Sequence, residues 1–107
     1  MKRGSVWWVE FDPSVGTEIN KTRPAVIISN DIANQHLSRV VVIPLTSNVS
    51  RLYPGEALVT VNNQNSKAMT DQIMSADKSR LKSKIEVLSD NDLLSIENAM
   101  KRFFALQ

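Results

Sequence analysis

Apolar and polar positions along the chain fall into short extended bursts, with a helical rhythm only at the C-terminal end. SVWWVEF (5–11) has the aromatic and β-branched make-up of a strand and is closed by Asp12-Pro13. The polar run DPSVGTEINKT (12–22) predicts an exposed loop of above-median length. Arg23-Pro24 then opens onto AVIIS (25–29), a brief apolar run that predicts a buried strand. Asn30-Asp31 ends it and can cap a short helical turn reaching Gln35.

RVVVIPLTS (39–47) is the most strand-like stretch, and its Pro44 predicts an edge position, a bulge or a bend. VSRLYPGE (49–56) reads as a second loop with a Pro-Gly turn signal. ALVTV (57–61) predicts a strand and NNQNS (62–66) a turn of residues that tolerate left-handed backbone. AMTDQIMS (68–75) and KIEVL (84–88) predict two further strands. From Ser89 the period changes. Ser89 can N-cap a helix, Asp90 and Asp92 sit where the helix dipole favours acids, and Asp92 holds the capping-box position. Leu93, Ile96, Met100, Phe103 and Phe104 follow the spacing of an apolar stripe, with Lys101 and Arg102 near the end where cations are favoured. Short strands followed by one terminal helix imply an α+β, mainly β fold on a small, strongly bent sheet or barrel.

At 107 residues the chain has room for one domain, read as 1–107, without repeats or linkers. The absence of cysteine removes a disulfide framework, a thiolate zinc site and a thiol nucleophile. No stretch approaches the roughly 20 apolar residues of a membrane-spanning helix, and MKRGSVWW lacks the apolar core of a secretory signal. A cytoplasmic protein with no membrane partner is expected. Lys plus Arg is 13 against 11 for Asp plus Glu, and a net charge of +2 is too small to imply nucleic acid. Lys78, Arg80, Lys82 and Lys84 recur at every second position, which predicts one side of an extended segment. A lysine-protected strand edge accounts for that row as well as a basic patch does.

A metal-dependent nuclease needs clustered Asp, Glu or His, whereas here the acids are scattered and the single histidine, His36, lies in a polar segment. Phosphate loops, nucleotide fingerprints and serine elbows are also missing, so neither metal nor cofactor is expected. Three polar clusters remain, each beside an apolar strand. The first runs from Glu18 to Arg23; Arg23 either snorkels along apolar surface or presents its planar guanidinium to a phosphate. Thr46-Ser47-Asn48 is either a turn or a set of hydrogen-bonding groups at a strand end. Thr70-Asp71-Gln72, flanked by Ala68, Met69, Ile73 and Met74, either faces solvent by alternation or builds a polar site.

Taken in order, FDPSVGTEINKTRPAVIISND, VVVIPLTSN and TDQIMSADKSRL resemble the MazF/PemK toxins of bacterial toxin–antitoxin systems. The matching pieces are Asp12-Pro13, Gly16-Thr17-Glu18, Arg23-Pro24, Pro44-Leu45-Thr46-Ser47 and Asp71-Gln72, and together they cover nearly the whole chain. The resemblance implies an SH3-like barrel with a C-terminal helix. It also implies a homodimer that cuts single-stranded RNA at short sequences without metal, leaving 2′,3′-cyclic phosphate and 5′-hydroxyl ends. Partners implied are the RNA substrate, a small acidic MazE-like antitoxin, and operator DNA only through the antitoxin complex. Family sites centre on the residues matching Arg23 and Thr46, with a catalytic role for the acid matching Asp71 in some members. Departures from one branch occur at Thr17, Met69 and Met74, where that branch carries histidine, arginine and a further basic residue. Its acid–arginine mechanism therefore does not carry over.

RNA supplies its own nucleophile, the 2′-hydroxyl. Arg23 would neutralise charge developing on the non-bridging oxygens, and Thr46 and Ser47 would hydrogen-bond the same phosphate. Arginine stays protonated and is poorly suited as a base, which leaves Glu18 or Asp71 if burial tunes one of them. Base recognition would fall to Thr17, Asn20, Lys21 and Thr22 in the first loop and to Asn48, Arg51 and Tyr53 in the second, with Gln72 beside the acid. Tyr53-Pro54 could instead pack its own loop. The Trp7-Trp8 pair, mid-strand, reads as core or dimer interface rather than as an RNA platform. Two rivals remain open: a CcdB-like toxin that poisons a protein such as gyrase by binding, and a catalytically silent RNA- or antitoxin-binding relative.

Overall fold

The structure, a computed structural model, describes residues 1–11 and 21–107, with Lys21 described by its backbone alone. Within them run β1 (Ser5–Phe11), β2 (Lys21–Ile27), α1 (Asp31–His36), β3 (Arg39–Thr46), β4 (Glu56–Val61), β5 (Gln64–Met69), β6 (Met74–Asp77), β7 (Leu81–Val87) and α2 (Asp90–Phe103). Every ladder is antiparallel. The strand order is β4-β5-β3-β2-β1-β7, with β6 paired to β3. The sheet bends like a barrel without closing, because β4 and β7 do not pair. Carboxylates cover that gap. The Thr60 N–H donates to Asp92 Oδ2 at 2.9 Å and the Asn62 N–H donates to a Glu86 carboxylate oxygen, so edge donors of the β4 hairpin are satisfied without a further strand.

Period-two alternation buries both faces of the central strands, which is why AVII and VVVI read as unbroken apolar runs. Val6, Val26, Ile43, Leu45 and Val59 face α2 and pack with Ile96 and Ala99. Val9, Ala25, Ile27, Val40, Val42, Ala76 and Leu81 form a second cluster on the other face. Arg3 pins α2 to this frame, bonding Glu97 at 2.8 Å and donating from Nε to the Ile28 carbonyl. Helix α1 starts as predicted, with the Asn30 side chain accepting from the Ala33 N–H.

Pro44 lies in a strand with partners on both sides and not at an edge. The Val41 N–H and carbonyl face the β2 side, bonding Ser29 and Ile28. Alternation therefore turns the backbone of Pro44 to the opposite side. There β6 pairing ends at Val42 and β5 pairing begins at Leu45. The missing donor falls where β3 changes partners.

Several expected boundaries move. Lys21 and Thr22, predicted as the end of a loop, begin β2; residues 12–20 lie outside the described residues. The turn after β4 is only Asn62-Asn63, both with positive φ, so β5 starts at Gln64. Residues 68–75 are not one strand: Thr70–Gln72 is a 3-10 turn between β5 and β6. A second such turn, Lys78–Arg80, separates β6 from β7, so the four basic residues are not one extended row. Asp77 caps it, and the Ser79 backbone and hydroxyl hydrogen bonds hold the exposed Asp77 carboxyl below its ordinary pKa. Ser89 caps α2 by accepting from the Asp92 N–H, yet the Asp92 carboxylate reaches Thr60 instead of closing a capping box. Phe103 and Phe104 fall outside the core and stay exposed.

Ile96 is fully buried where α2 meets the sheet. Ile96→Ala is expected to lower stability by about 2–5 kcal/mol, read as a reduced urea midpoint with an unchanged slope.

Candidate functional site

The β2–β3 register runs Ile27↔Val42, Val26↔Ile43, Ala25↔Pro44. Carried two residues further, it sets Arg23 across from Thr46, on the same face, just past the end of the ladder. Arg23 is exposed and still pairs with β1 opposite Val9, so β2 leaves β3 there without leaving the sheet. Thr46 is half-buried, opposite Lys67 of β5. Its hydroxyl accepts from the Asn48 N–H at 3.2 Å, and Asn48 Oδ1 accepts from Ser50. Thr46, Ser47 and Asn48 thus form a turn whose hydroxyl groups stand at a strand end. Of the two alternatives left by the sequence, the turn is the one seen here, with the Thr46 hydroxyl engaged by the Asn48 N–H.

Thr46 and Ser47 border a cleft of about 280 Å³ with a floor of Pro24, Leu45, Val61 and Ile85 and polar groups from Asn62, Gln64 and Ser66. One wall is Trp8, whose side chain lies 41% exposed. The two tryptophans therefore differ. Trp7 packs against the second core cluster and donates from its indole to Ser5 Oγ, whereas Trp8 presents its ring to the space beside Thr46. Alternation along β1 gives that split, but which ring faced an opening depended on β4 and β7 standing apart.

The second loop carries Arg51 and Tyr53, both exposed. Beneath it lies a pair that sequence reasoning passed over, Glu56 and Lys67. Lys67 Nζ sits 3.0 Å from Glu56 Oε1, each side chain 9% exposed. Nζ also donates to the Arg51 carbonyl at 2.7 Å and lies 5.2 Å from the centre of the Tyr53 ring. Asp71 and Gln72, both exposed, stand on the 3-10 turn beyond β5, at the other end of that strand from the cleft. Thr70, between them and the strand, is buried and donates to the Gly55 carbonyl. Thr22 is exposed on β2. Thr17, Glu18 and Asn20 lie outside the described residues, as does the Lys21 side chain. His36 ends α1, exposed and away from the cleft. Among the described residues no three His, Asp or Glu side chains gather as a metal site, and no helix is long and apolar enough to cross a membrane.

A bent, open antiparallel sheet backed by one C-terminal helix defines a small barrel-like fold. The chain belongs to the PemK/MazF family: a model described as "PemK-like, MazF-like toxin of type II toxin-antitoxin system" matches residues 2–104. It is 36% identical over 110 residues to endoribonuclease MazF9 of Mycobacterium tuberculosis, covering 94% of this chain and 93% of the relative. It is 31% identical to an endoribonuclease MazF of Staphylococcus saprophyticus, covering 94% and 88%. The fold matches MazF in a MazE–MazF structure from Deinococcus radiodurans with a TM-score of 0.84 at 21% identity, covering 100% and 97%. A mycobacterial endoribonuclease solved with its cognate antitoxin gives 0.82 at 22% identity, again covering 100% and 97%.

The Glu56–Lys67 pair yields a stability prediction. Removing one member leaves the other charge buried, so Lys67→Met is expected to cost about 3–5 kcal/mol, measured by chemical denaturation.

Proposed function

We propose that this protein is the toxin of a type II toxin–antitoxin pair and cleaves single-stranded RNA in the cytoplasm as a homodimer, by attack of the 2′-hydroxyl on the neighbouring phosphate, without metal. What supports the reading is the β2–β3 register, which carried two residues past its last pair, Ala25↔Pro44, aligns Arg23 with Thr46, together with a cleft large enough for a base that Thr46 and Ser47 line and Arg23 does not. In this reading the Arg23 guanidinium holds the scissile phosphate and neutralises charge as the phosphorane forms. Thr46 and Ser47 hydrogen-bond its oxygens. The 2′-hydroxyl proton passes to the Glu18 carboxylate, since Asp71 stands at the far end of β5 from the cleft, and the leaving 5′-oxygen takes a proton from water, giving a 5′-hydroxyl and a 2′,3′-cyclic phosphate.

Trp8 offers an indole face to an unpaired base, with Asn62 and Gln64 able to meet base edges. Arg51, Tyr53 and Asn48 continue the surface along the second loop. Thr17, Asn20, Lys21 and Thr22 belong to the first recognition segment, and Gln72 flanks Asp71. A small acidic MazE-like antitoxin would occupy this basic and aromatic surface and would link the toxin to operator DNA.

Purified protein is expected to cut single-stranded RNA in excess EDTA. Arg23→Ala should lower kcat at least about 100-fold while leaving a folded dimer. Loss of cleavage on chelation would sink the metal-free chemistry, and an unaffected Arg23→Ala would sink the assignment. Trp8→Ala is expected to weaken binding of a non-cleavable single-stranded oligonucleotide by about 1–3 kcal/mol, measured by fluorescence anisotropy.

A further inference from the structure

Residues 47–54 are all exposed, including Val49, Leu52 and Tyr53. Apolar burial therefore does not hold this loop in place. Its holds are polar: Asn48 bonds Ser50 within the loop, the Glu56 N–H closes a turn on the Tyr53 carbonyl, and two side chains from the outer face of the β4–β5 hairpin reach its backbone. Leu58 pairs with Lys67 and Glu56 with Met69, so Glu56 and Lys67 are diagonal neighbours on one face. Leu58, on that same face, is exposed. The face is covered where the loop crosses Glu56 and Lys67 and is open beyond.

The loop backbone is gripped at two points. Lys67 Nζ donates to the Arg51 carbonyl at 2.7 Å, and Glu56 Oε1 accepts from the Tyr53 N–H at 2.8 Å. The two side chains bond each other at 3.0 Å, and the ammonium lies against the Tyr53 ring. One acid and one base thus bracket the tripeptide segment from Arg51 to Tyr53 from both sides. Lys67 also lies directly opposite Thr46 in the β3–β5 register, so the clasp and the candidate hydroxyl share one position of the sheet.

We propose that the buried Glu56–Lys67 pair is a positioning device that fixes the Arg51–Tyr53 segment as a substrate-reading loop in register with Thr46. The inference rests on the ribonuclease reading and deepens it. Charged hydrogen bonds give this pair the strength to order a backbone, and their direction fixes where the two exposed side chains start.

The decisive variant is Glu56→Leu with Lys67→Met, which removes both charges and leaves neither unpaired, so fold and thermal stability should be retained. Its KM for RNA is expected to rise about tenfold with kcat little changed, and primer extension on a long RNA should show a broadened set of cut sites. Amide exchange at Tyr53 should accelerate. A folded double variant with the KM, cut sites and Tyr53 exchange of the unsubstituted protein would overturn the proposal. Should the double variant not fold, Glu56→Gln serves: it keeps shape and an acceptor but drops the charge, and Tyr53 exchange must still accelerate for the proposal to stand. If the unsubstituted protein cuts no RNA, the ribonuclease reading falls by itself, while Tyr53 exchange still decides whether the pair holds the loop.

Discussion

The fold turns on one missing hydrogen-bond donor. Strand β3 serves three neighbours, β2 along one side and β6 then β5 along the other. A strand that hands over from one partner to another must leave a position unpaired, and a residue with an idle N–H there would bury an unmet donor. Pro44 has none. Its place between Val42 and Leu45 lets β3 pass from β6 to β5 without that cost. Because the register with β2 is fixed at Ala25↔Pro44, the same residue also determines which β2 side chain comes across from Thr46. A slip of one residue would put Pro24 there and turn Arg23 to the other face.

Much of this was legible in the order of residues. The β1 run, the Asn30 cap, the β3 run and the Ser89 start of α2 each carry a local signal that tertiary packing did not need to override. The misread elements differ in cause. Thr70-Asp71-Gln72 sits among apolar residues, yet of these only Ala68 and Met69 on β5 are buried, while Met74 at the start of β6 beyond the 3-10 turn is exposed. Lys78 to Arg80 has the alternation of a strand but is turned by the Asp77 cap. Asp92 follows the capping-box pattern, and a free N–H on the edge of β4 claims its carboxylate. The Asp77 cap is a local signal two residues long that the alternation masked, whereas the other two depend on what lies opposite in space, which no window along the chain contains.

The candidate site divides in the same way. Arg23, Thr46 and Ser47 were singled out by motif, and the β2–β3 register, carried past its last pair, aligns Arg23 with Thr46. Trp8 was set aside because a mid-strand tryptophan ordinarily packs inward. It faces a cleft because β4 and β7 stay apart and carboxylates from Asp92 and Glu86 satisfy the hairpin's donors in place of a further strand. Openness of the barrel is thus what exposes Trp8 beside the cleft. Glu56 and Lys67 were invisible for a plainer reason: eleven positions apart and each flanked by strand residues, they look like ordinary surface charges until the loop lies over them.

That covering loop poses a physical conflict. A segment that reads a substrate must keep its side chains in solvent, yet it must not wander, since ordering it at the moment of binding would subtract from affinity. An apolar anchor would resolve the wandering by burying the very groups that are to make contact. Gripping the backbone resolves both demands: the Arg51 carbonyl and the Tyr53 N–H are held from beneath while Arg51, Leu52 and Tyr53 stay exposed. A buried ion pair is a weak source of net stability compared with a well-packed apolar pair of the same volume. Its presence under this loop is therefore better explained by what it orders than by what it stabilises, and the short, direct bonds to two backbone groups are the form such ordering takes.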